Sequence, residues 1–428
     1  MKVMVVNAYV RENAGDAALL SVLLDQLESA FPGCDICVSS MEDPRVRDNF
    51  SGHTNIGSIR RYTGDEQEPG LSRIARKVLI GAVGLCWFRY ASGAWRRCAR
   101  ILPSEARAEV QAVESSDLIV SLGGGYLSGT NSLGSRLHLF YSLLPVVLGQ
   151  RLGKPVIFAP QSFGPWGSAR QARRIGRCLS RASLVLAREE RSLDVLKEMG
   201  TRPSVMGRAV DSAFSFDAPA QNWRQHLALD ADEVLVGITA RKWLDPERQN
   251  RYERALAAVI DQIQARPGQH AILIPQVMSA YQSDDDRIVN TRVAAYCRAG
   301  RQPLLLAGWS SHYDLKALYK ELDYLIGTRL HSVIFSLTSS VPSIAIAYEH
   351  KTLGVMRDLG LESWCLRIED VTEPRLTELV ERLMHDRASY LMHLKEVLPP
   401  YTERASEVSA LIKQAYDRDQ SLLGSDTT

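Results

Sequence analysis

The chain has 428 residues, of which 45% are hydrophobic and 23% charged, and its formal net charge is +2. That length exceeds what one hydrophobic core usually fills, and the composition excludes disordered and fibrous classes. The near-neutral balance excludes nucleic acid as a main partner, since phosphate-tracking domains carry a strong basic excess.

The opening "MKVMVVNAYV" has too short an apolar part for a secretory signal, and seven scattered cysteines make no disulfide framework, which together predict a cytoplasmic protein. Short β-branched runs alternate with helical patterns throughout, the mark of parallel sheets with crossover helices. The first-half strands are expected at "KVMVVNA", "DICVSS", "DLIVSLGGG", "PVIFAPQS", "SLVLARE" and "PSVMG". Cys34 and Cys37 form a lone C-x-x-C beside the second of these and are read as packing residues, not a zinc site. The longest apolar run, "VLIGAVGLCWF" at 78–88, is shorter than the ~20 residues a spanning helix needs. Between Leu71 and Arg107 eight cations face one acid. Two readings of that stretch stay open: a core helix with solvated ends, or a surface that docks on anionic lipid.

"DSAFSFDAPAQNW", 211–223, lacks periodicity and reads as a linker. Beyond it, strands are expected at "EVLVGITAR", "AILIPQV", "PLLLAG", "YLIGTR", "PSIAIAY" and "WCLRIE", and an amphipathic helix from about Pro399 precedes a frayed end. The expected fold is α/β: two Rossmann-like doubly wound lobes, 1–215 and 224–398, then a C-terminal helix and tail, 399–428. Such lobes bind ligands at the carboxyl ends of their strands, here in the crevice between them.

Those strand ends carry the candidate residues. In the second half they are Arg241 with Lys242, Arg329 with His331, and Lys351. His331 and Lys351 fall in first turns of helices, where positive charge opposes the helix dipole unless an anion compensates. A dianionic ligand would favour the imidazolium and load His331 as a general acid, with Arg329 holding the anion bidentately. The alternative is a helix-start histidine bonded to backbone. In the first half, "RENAGDAALL" places Asn13, Gly15 and Asp16 at the start of an amphipathic helix, Asp16 serving as its cap or as a ligand group. "SLGGGYLSG" puts Gly124 and Tyr126 at a strand end, without the dinucleotide fingerprint or the phosphate-loop pattern. "FAPQSFGPW" adds Gln161 and Ser162, and "LVLAREERS" adds Arg188, placed to reach across the crevice. Arg136 and His138 imitate the Arg329–His331 spacing but follow a loop, and the D-x-D of "SDDDR" reads as a solvated helix cap.

Together "NAGDAAL", "SLGGGYL", "APQSFGP", "LAREERSLDVLKEMG", "DSAF" and "GTRLHSVIFSLTSSVPSIAIAYEHK" resemble the polysaccharide pyruvyl transferase family, nearest in layout to its bacterial exopolysaccharide members of the colanic-acid type. The resemblance implies a glycosyltransferase-B-like pair of lobes that moves a pyruvyl group from phosphoenolpyruvate onto a sugar. It implies His331 as proton donor and Arg329 and Lys351 as anion binders, to which the strand reading adds Arg241 and Arg188. It sets the acceptor sugar against the first lobe, near Asn13, Asp16, Gly124, Tyr126 and Gln161, with Asp16 as base for the incoming hydroxyl. Neither a metal nor a redox cofactor is required. A lipid-linked acceptor would give residues 71–107 a purpose, holding the enzyme on the inner face of the cytoplasmic membrane. Two other readings stay open: a sugar-nucleotide-dependent glycosyltransferase of the same architecture, and a non-catalytic sugar-binding subunit of a polymer assembly complex.

Overall fold

The computed structural model describes residues 1–9, 11–43, 52–61, 102, 104–279, 284–300 and 302–425, together with Val78, Gly81 and Ala82. The chain divides into two compact units, one of residues 1–10, 19–212 and 404–428, the other of residues 11–18 and 213–403.

The first unit is built on a parallel sheet of β1 (Lys2–Ala8), β2 (Asp35–Ser40), β3 (Thr54–Gly57), β4 (Leu118–Ser121), β5 (Gly124–Leu127), β6 (Val156–Phe163), β7 (Leu184–Ala187) and β8 (Val205–Arg208). Their order is β3-β2-β1-β4-β6-β7-β8, with β5 paired to β6. Its central strands are aliphatic runs buried on both faces, as parallel sheets covered by helices require. The covering helices are α1 (Ala14–Ala30), α2 (Ser104–Ser115), α3 (Leu133–Arg151), α4 (Ala169–Leu179) and α5 (Glu190–Glu198). Strand order reverses between β1 and β4, so their carboxyl ends, Asn7 and Ser121, flank the switch point where such sheets bind ligands.

The second unit repeats the plan. Strands β9 (Val234–Thr239), β10 (Gln269–Leu273), β11 (Leu304–Leu305), β12 (Tyr324–Gly327), β13 (Ser343–Ala347) and β14 (Cys365–Arg367) run parallel in the order β11-β10-β9-β12-β13-β14. The switch point lies between β9 and β12. Helices α6 (Trp223–His226), α7 (Pro246–Gln264), α8 (Asp286–Tyr296), α9 (His312–Lys320), α10 (Leu330–Leu337), α11 (His350–Asp358) and α12 (Glu373–His385) surround the sheet. Two long helices, α13 (Arg387–Ser406) and α14 (Val408–Ser425), close the chain.

Each expected strand is present, and two are additions: β3, with one large aliphatic residue in "TNIG", and β5, which holds the Gly124 and Tyr126 expected at the end of β4. The domain boundaries differ in two places. The C-terminal segment is helical from Arg387, well before Pro399, and from Arg404 onward it belongs to the first unit. There the Phe31 and Tyr416 rings meet edge-on at 5.2 Å, Gln26 Nε2 donates to the Ala405 carbonyl at 2.9 Å, and Arg418 Nη2 donates to the Ser183 carbonyl at 3.1 Å. Residues 11–18 belong to the second unit, because backbone bonds stitch them to the segment after β10. Asn13 bridges Val277 in antiparallel sense, Ala14 N donates to the Gln276 carbonyl at 3.1 Å, and Met278 N to the Glu12 carbonyl at 2.7 Å. The basic stretch 71–107 lies mostly outside the described residues. Among the described residues no helix is long and apolar enough to cross a membrane.

Candidate functional site

The carboxyl ends of β9 and β12 form the floor of the site in the second unit. Thr239, the last residue of β9, accepts from Thr328 N at 3.0 Å and Arg329 N at 3.4 Å through its hydroxyl, which also meets Ser332 Oγ at 2.9 Å. Tyr252 Oη adds a bond to Thr328 Oγ1 at 2.7 Å. These small hydroxyls use the donors at the start of α10 and seat Arg329 as its N-cap and His331 in its first turn. At the other end of α10, buried Lys316 donates to the Phe335 carbonyl at 2.8 Å, Thr338 Oγ1 at 2.6 Å and Ser339 Oγ at 2.8 Å. The helix is thus held at both ends.

Arg329 is 8% exposed and points at two aspartates. Its Nη2 donates to Asp286 Oδ1 at 2.7 Å and Asp284 Oδ1 at 2.9 Å, and its Nε lies 3.2 Å from both Asp286 oxygens. Asp286 also accepts from Gln276 N at 3.1 Å and Val277 N at 2.9 Å. Burial pushes the Asp286 carboxyl up against the pull of Arg329, yet every neighbour aimed at its oxygens is a donor, a set only the carboxylate accepts in full. Burial opposes charge on Arg329 too, and the Asp286 carboxylate outweighs it, so the guanidinium holds its proton more tightly than an ordinary arginine. The pair is ionic. The expectation of a solvated D-x-D is therefore corrected. Asp285 does cap α8, through Arg287 N, but Asp286 is 1% exposed and anchors Arg329. Sequence reasoning saw the motif and missed its partner, 43 residues away.

Arg241, just past β9, shares the second of these acids. Its Nη2 lies 3.3 Å from Asp284 Oδ1, and its guanidinium rests 4.2 Å from the Tyr348 ring centroid and 4.9 Å from that of Trp243. Planar stacking of this kind fixes a guanidinium's direction without neutralising it. Lys351 sits in the first turn of α11 and pairs with Glu349 at 2.7 Å. Burial would raise the Glu349 pKa, but Lys351, Arg241 and His350 outweigh it and hold the carboxyl below its ordinary value.

The N-terminus of α1 joins this constellation. Asn13 Oδ1 accepts from Gly15 N at 3.1 Å and Asp16 N at 3.4 Å, so Asn13, not Asp16, is the capping side chain, while Asp16 Oδ2 accepts from Asn13 Nδ2 at 2.8 Å. Gly15 lies against His331: a Cβ there would stand 2.0 Å from the imidazole Nδ1. Asn13 and Asp16, expected on the first lobe, are thus placed in the second unit beside the candidate general acid.

Arg188, Gly124, Tyr126 and Gln161 are in the first unit. Arg188 is 3% exposed and donates to Asp211 Oδ2 at 2.7 Å and Ser162 Oγ at 2.8 Å, with Glu189 at 3.4 Å. Two carboxylates pair with it, as two pair with Arg329. Tyr126 and Gln161 are also buried. Asn7 Nδ2 donates to Ser121 Oγ at 3.0 Å and Tyr126 Oη at 3.2 Å, Ser121 Oγ bonds Tyr126 Oη, and Gln161 lies beside that phenol. Their side chains lie at the carboxyl ends of the strands that flank the switch point. Gly124, at φ 138°, opens β5 in a backbone conformation that glycine alone adopts readily.

His138 completes that cluster. Its Nδ1 lies 3.4 Å from Arg60 Nη2, and its ring also bonds the Tyr126 carbonyl. Burial first, then Arg60, lower its pKa to about 4. The unfolded chain takes up this proton near pH 6.5 and the folded one only near 4, so stability present above pH 6.5 is lost as the pH falls toward 4. His138→Gln should flatten that loss by about 2–3 kcal/mol at pH 4.5 relative to pH 7. Parallel acid-unfolding curves for the two proteins would refute it.

A family model described as polysaccharide pyruvyl transferase matches residues 13–350 of this sequence. The chain belongs to the polysaccharide pyruvyl transferase family. The matched span opens on Asn13 and closes on His350, both in the unit that holds Arg329 and His331. Among curated relatives of this family member, the amylovoran biosynthesis protein AmsJ of Erwinia amylovora is 25% identical over 427 residues, covering 97% of this chain and 96% of AmsJ. Solved structures with similar folds include a putative UDP-N-acetylglucosamine 2-epimerase from Listeria monocytogenes, with TM-score 0.62, 12% identity and 97% of each chain covered. Another is Alr3699/HepE of Anabaena in complex with UDP-glucose, with TM-score 0.57, 13% identity, and 98% and 99% covered. These likenesses show the fold: a pyruvyl transferase family chain made of two Rossmann-like, glycosyltransferase-B-like α/β units.

Proposed function

We propose that this transferase of polysaccharide biosynthesis takes its pyruvyl group from phosphoenolpyruvate and leaves it as a cyclic ketal on two hydroxyls of a sugar. The observation that carries this reading is a pair of arginines, Arg241 and Arg329, that share one half-exposed carboxylate, Asp284, at the head of the helix that carries His331. Phosphoenolpyruvate presents a phosphate and a carboxylate; Arg241, Arg329 and Lys351 are paired internally with Asp284, Asp286 and Glu349, and on this reading the donor takes the place of half-exposed Asp284 on the two guanidiniums.

His331 protonates the methylene carbon, leaving carbon 2 an oxocarbenium-like electrophile. A sugar hydroxyl attacks carbon 2 and gives up its proton to Asp16, or to the histidine left neutral by the first step. The bond from carbon 2 to the phosphate oxygen then breaks, inorganic phosphate departs, and a second hydroxyl closes the ketal with loss of its own proton. Of the two protons released from the hydroxyls, one replaces the proton given to the methylene and the other leaves with the phosphate as hydrogen phosphate, and no oxidant enters. The acceptor, on this reading, is the growing polysaccharide or its lipid-linked precursor, since the AmsJ relative is described as an amylovoran biosynthesis protein.

Thermal stabilisation by phosphoenolpyruvate tests the donor. A ligand at 100 times its dissociation constant should add about 2.7 kcal/mol, with UDP-sugars and GDP-sugars as the competing arm. Arg241→Gln is the better variant here, because Arg329→Ala would strand buried Asp286 and unfold the site for an unrelated reason. We expect the shift to be largely lost in Arg241→Gln. Stabilisation by a nucleotide sugar and not by phosphoenolpyruvate would replace pyruvyl transfer with glycosyl transfer.

A further inference from the structure

A groove of about 480 Å³ runs between α3 and α4 in the first unit, apart from every residue given a role above. Its floor is apolar, with Leu139, Leu143 and Val147 from α3 and Ile175 from α4. Its rim is cationic: Arg170, Arg174, Arg177 and Arg181, spaced four, three and four, make a stripe on the α4 side, and Arg136 and Arg151 stand at the two ends of α3. The charge is not balanced locally. Residues 118–188 contain nine Lys or Arg and no Asp or Glu. Among the described residues none of Arg136, Arg170, Arg174, Arg177 and Arg181 forms an ion pair.

We infer that this groove is a docking site for an anionic phospholipid of a membrane surface. The reasoning is chemical complementarity on two counts. A purely hydrophilic polyanion would be satisfied by the arginines alone and would leave the apolar floor in water, whereas a neutral apolar ligand would leave the rim unused. A phospholipid uses both, its hydrocarbon lying against α3 and its phosphate held by guanidinium forks. From Arg136 to Arg151 the α3 face is about 22 Å long at 1.5 Å per residue, enough for the ~15 Å half-thickness of a bilayer's hydrocarbon. Arginine stems add apolar cover while their charged ends stay at the headgroup level. The inference stands whether or not the substrate is phosphoenolpyruvate.

Co-sedimentation of the full chain with vesicles tests it, using phosphatidylglycerol mixed into phosphatidylcholine against phosphatidylcholine alone. The parent should bind the anionic vesicles, and Arg170→Glu, Arg174→Glu and Arg177→Glu combined should weaken binding about a hundredfold. These side chains are exposed, so the variant should fold, and an unchanged melting temperature checks that. A control with the same charge change elsewhere, Arg251→Glu, Arg254→Glu and Arg375→Glu, should retain binding. The idea is overturned by a parent that ignores anionic vesicles, by equal loss in both triple variants, or by inorganic diphosphate stabilising the parent where vesicles do not bind.

Discussion

Replacing Gly15 with alanine should lower turnover almost as far as replacing His331, while costing about 1–3 kcal/mol of stability through overpacking. The position is helical and its φ is not in the left-handed region, so alanine suits the backbone there and even favours the helix by up to ~1 kcal/mol. The added carbon, however, would stand 2.0 Å from His331 Nδ1 and 2.4 Å from Cγ. The imidazole, whose Nε2 is buried, must then shift, and shifting takes it from the position from which it is proposed to protonate the methylene carbon. Loss of a positioned general acid lowers turnover by ~10² to 10⁴. Phosphate release from phosphoenolpyruvate in the presence of acceptor should therefore fall about a hundredfold or more in both Gly15→Ala and His331→Asn, with circular dichroism showing that both variants remain folded at the assay temperature. Full activity in the glycine variant would show that the ring's present position is irrelevant to catalysis, and full activity in His331→Asn would remove the general-acid role altogether.

The second large effect concerns stability. Asp286→Asn should destabilise the second unit by about 3–5 kcal/mol, the usual consequence of stranding one partner of a buried ion pair. Asparagine also turns a donor toward Arg329 where an acceptor is needed. Asp284→Asn should behave differently. Asp284 is about half exposed, so its loss has little effect on stability, and it leaves Arg241 and Arg329 with one fewer internal anion. Phosphoenolpyruvate affinity should rise in Asp284→Asn and fall in Asp286→Asn. Calorimetric unfolding and a ligand titration on the two variants separate these outcomes, and equal behaviour would mean that the two aspartates play one role.

These residues also mark what the sequence could and could not disclose. The strands were legible because parallel sheets are covered on both faces, so their strands are uninterrupted aliphatic runs. The places of Arg241, Arg329, His331 and Lys351 were legible because each follows closely on a strand or stands at the start of a helix. Their counter-charges were not. Asp286 caps nothing and meets Arg329 only after β10, β11 and β12 have been laid down, a pairing no local spacing encodes. The partners of Arg188 were hidden for the matching reason: its place beside Asp211 is a property of two strand ends 23 residues apart, and an exposed arginine and a buried, paired one look alike in sequence. Gly15 was read as a small residue at a helix start, and the imidazole it makes room for lies 316 residues further along.

The assignment of residues 11–18 to the second unit bears on any attempt to recombine these enzymes. A chimera joined once, at the segment near residue 213, would transplant Asn13, Gly15 and Asp16 together with the donor's N-terminal half and set them against a foreign His331. Lobe exchange that keeps Asn13, Gly15 and Asp16 with their own His331 needs additional crossovers on either side of 11–18, and one more near residue 404 so that the segment from there on travels with the first unit. Hybrids designed with and without the extra junctions would differ by only a few dozen residues, and only the former would inherit an unbroken second unit.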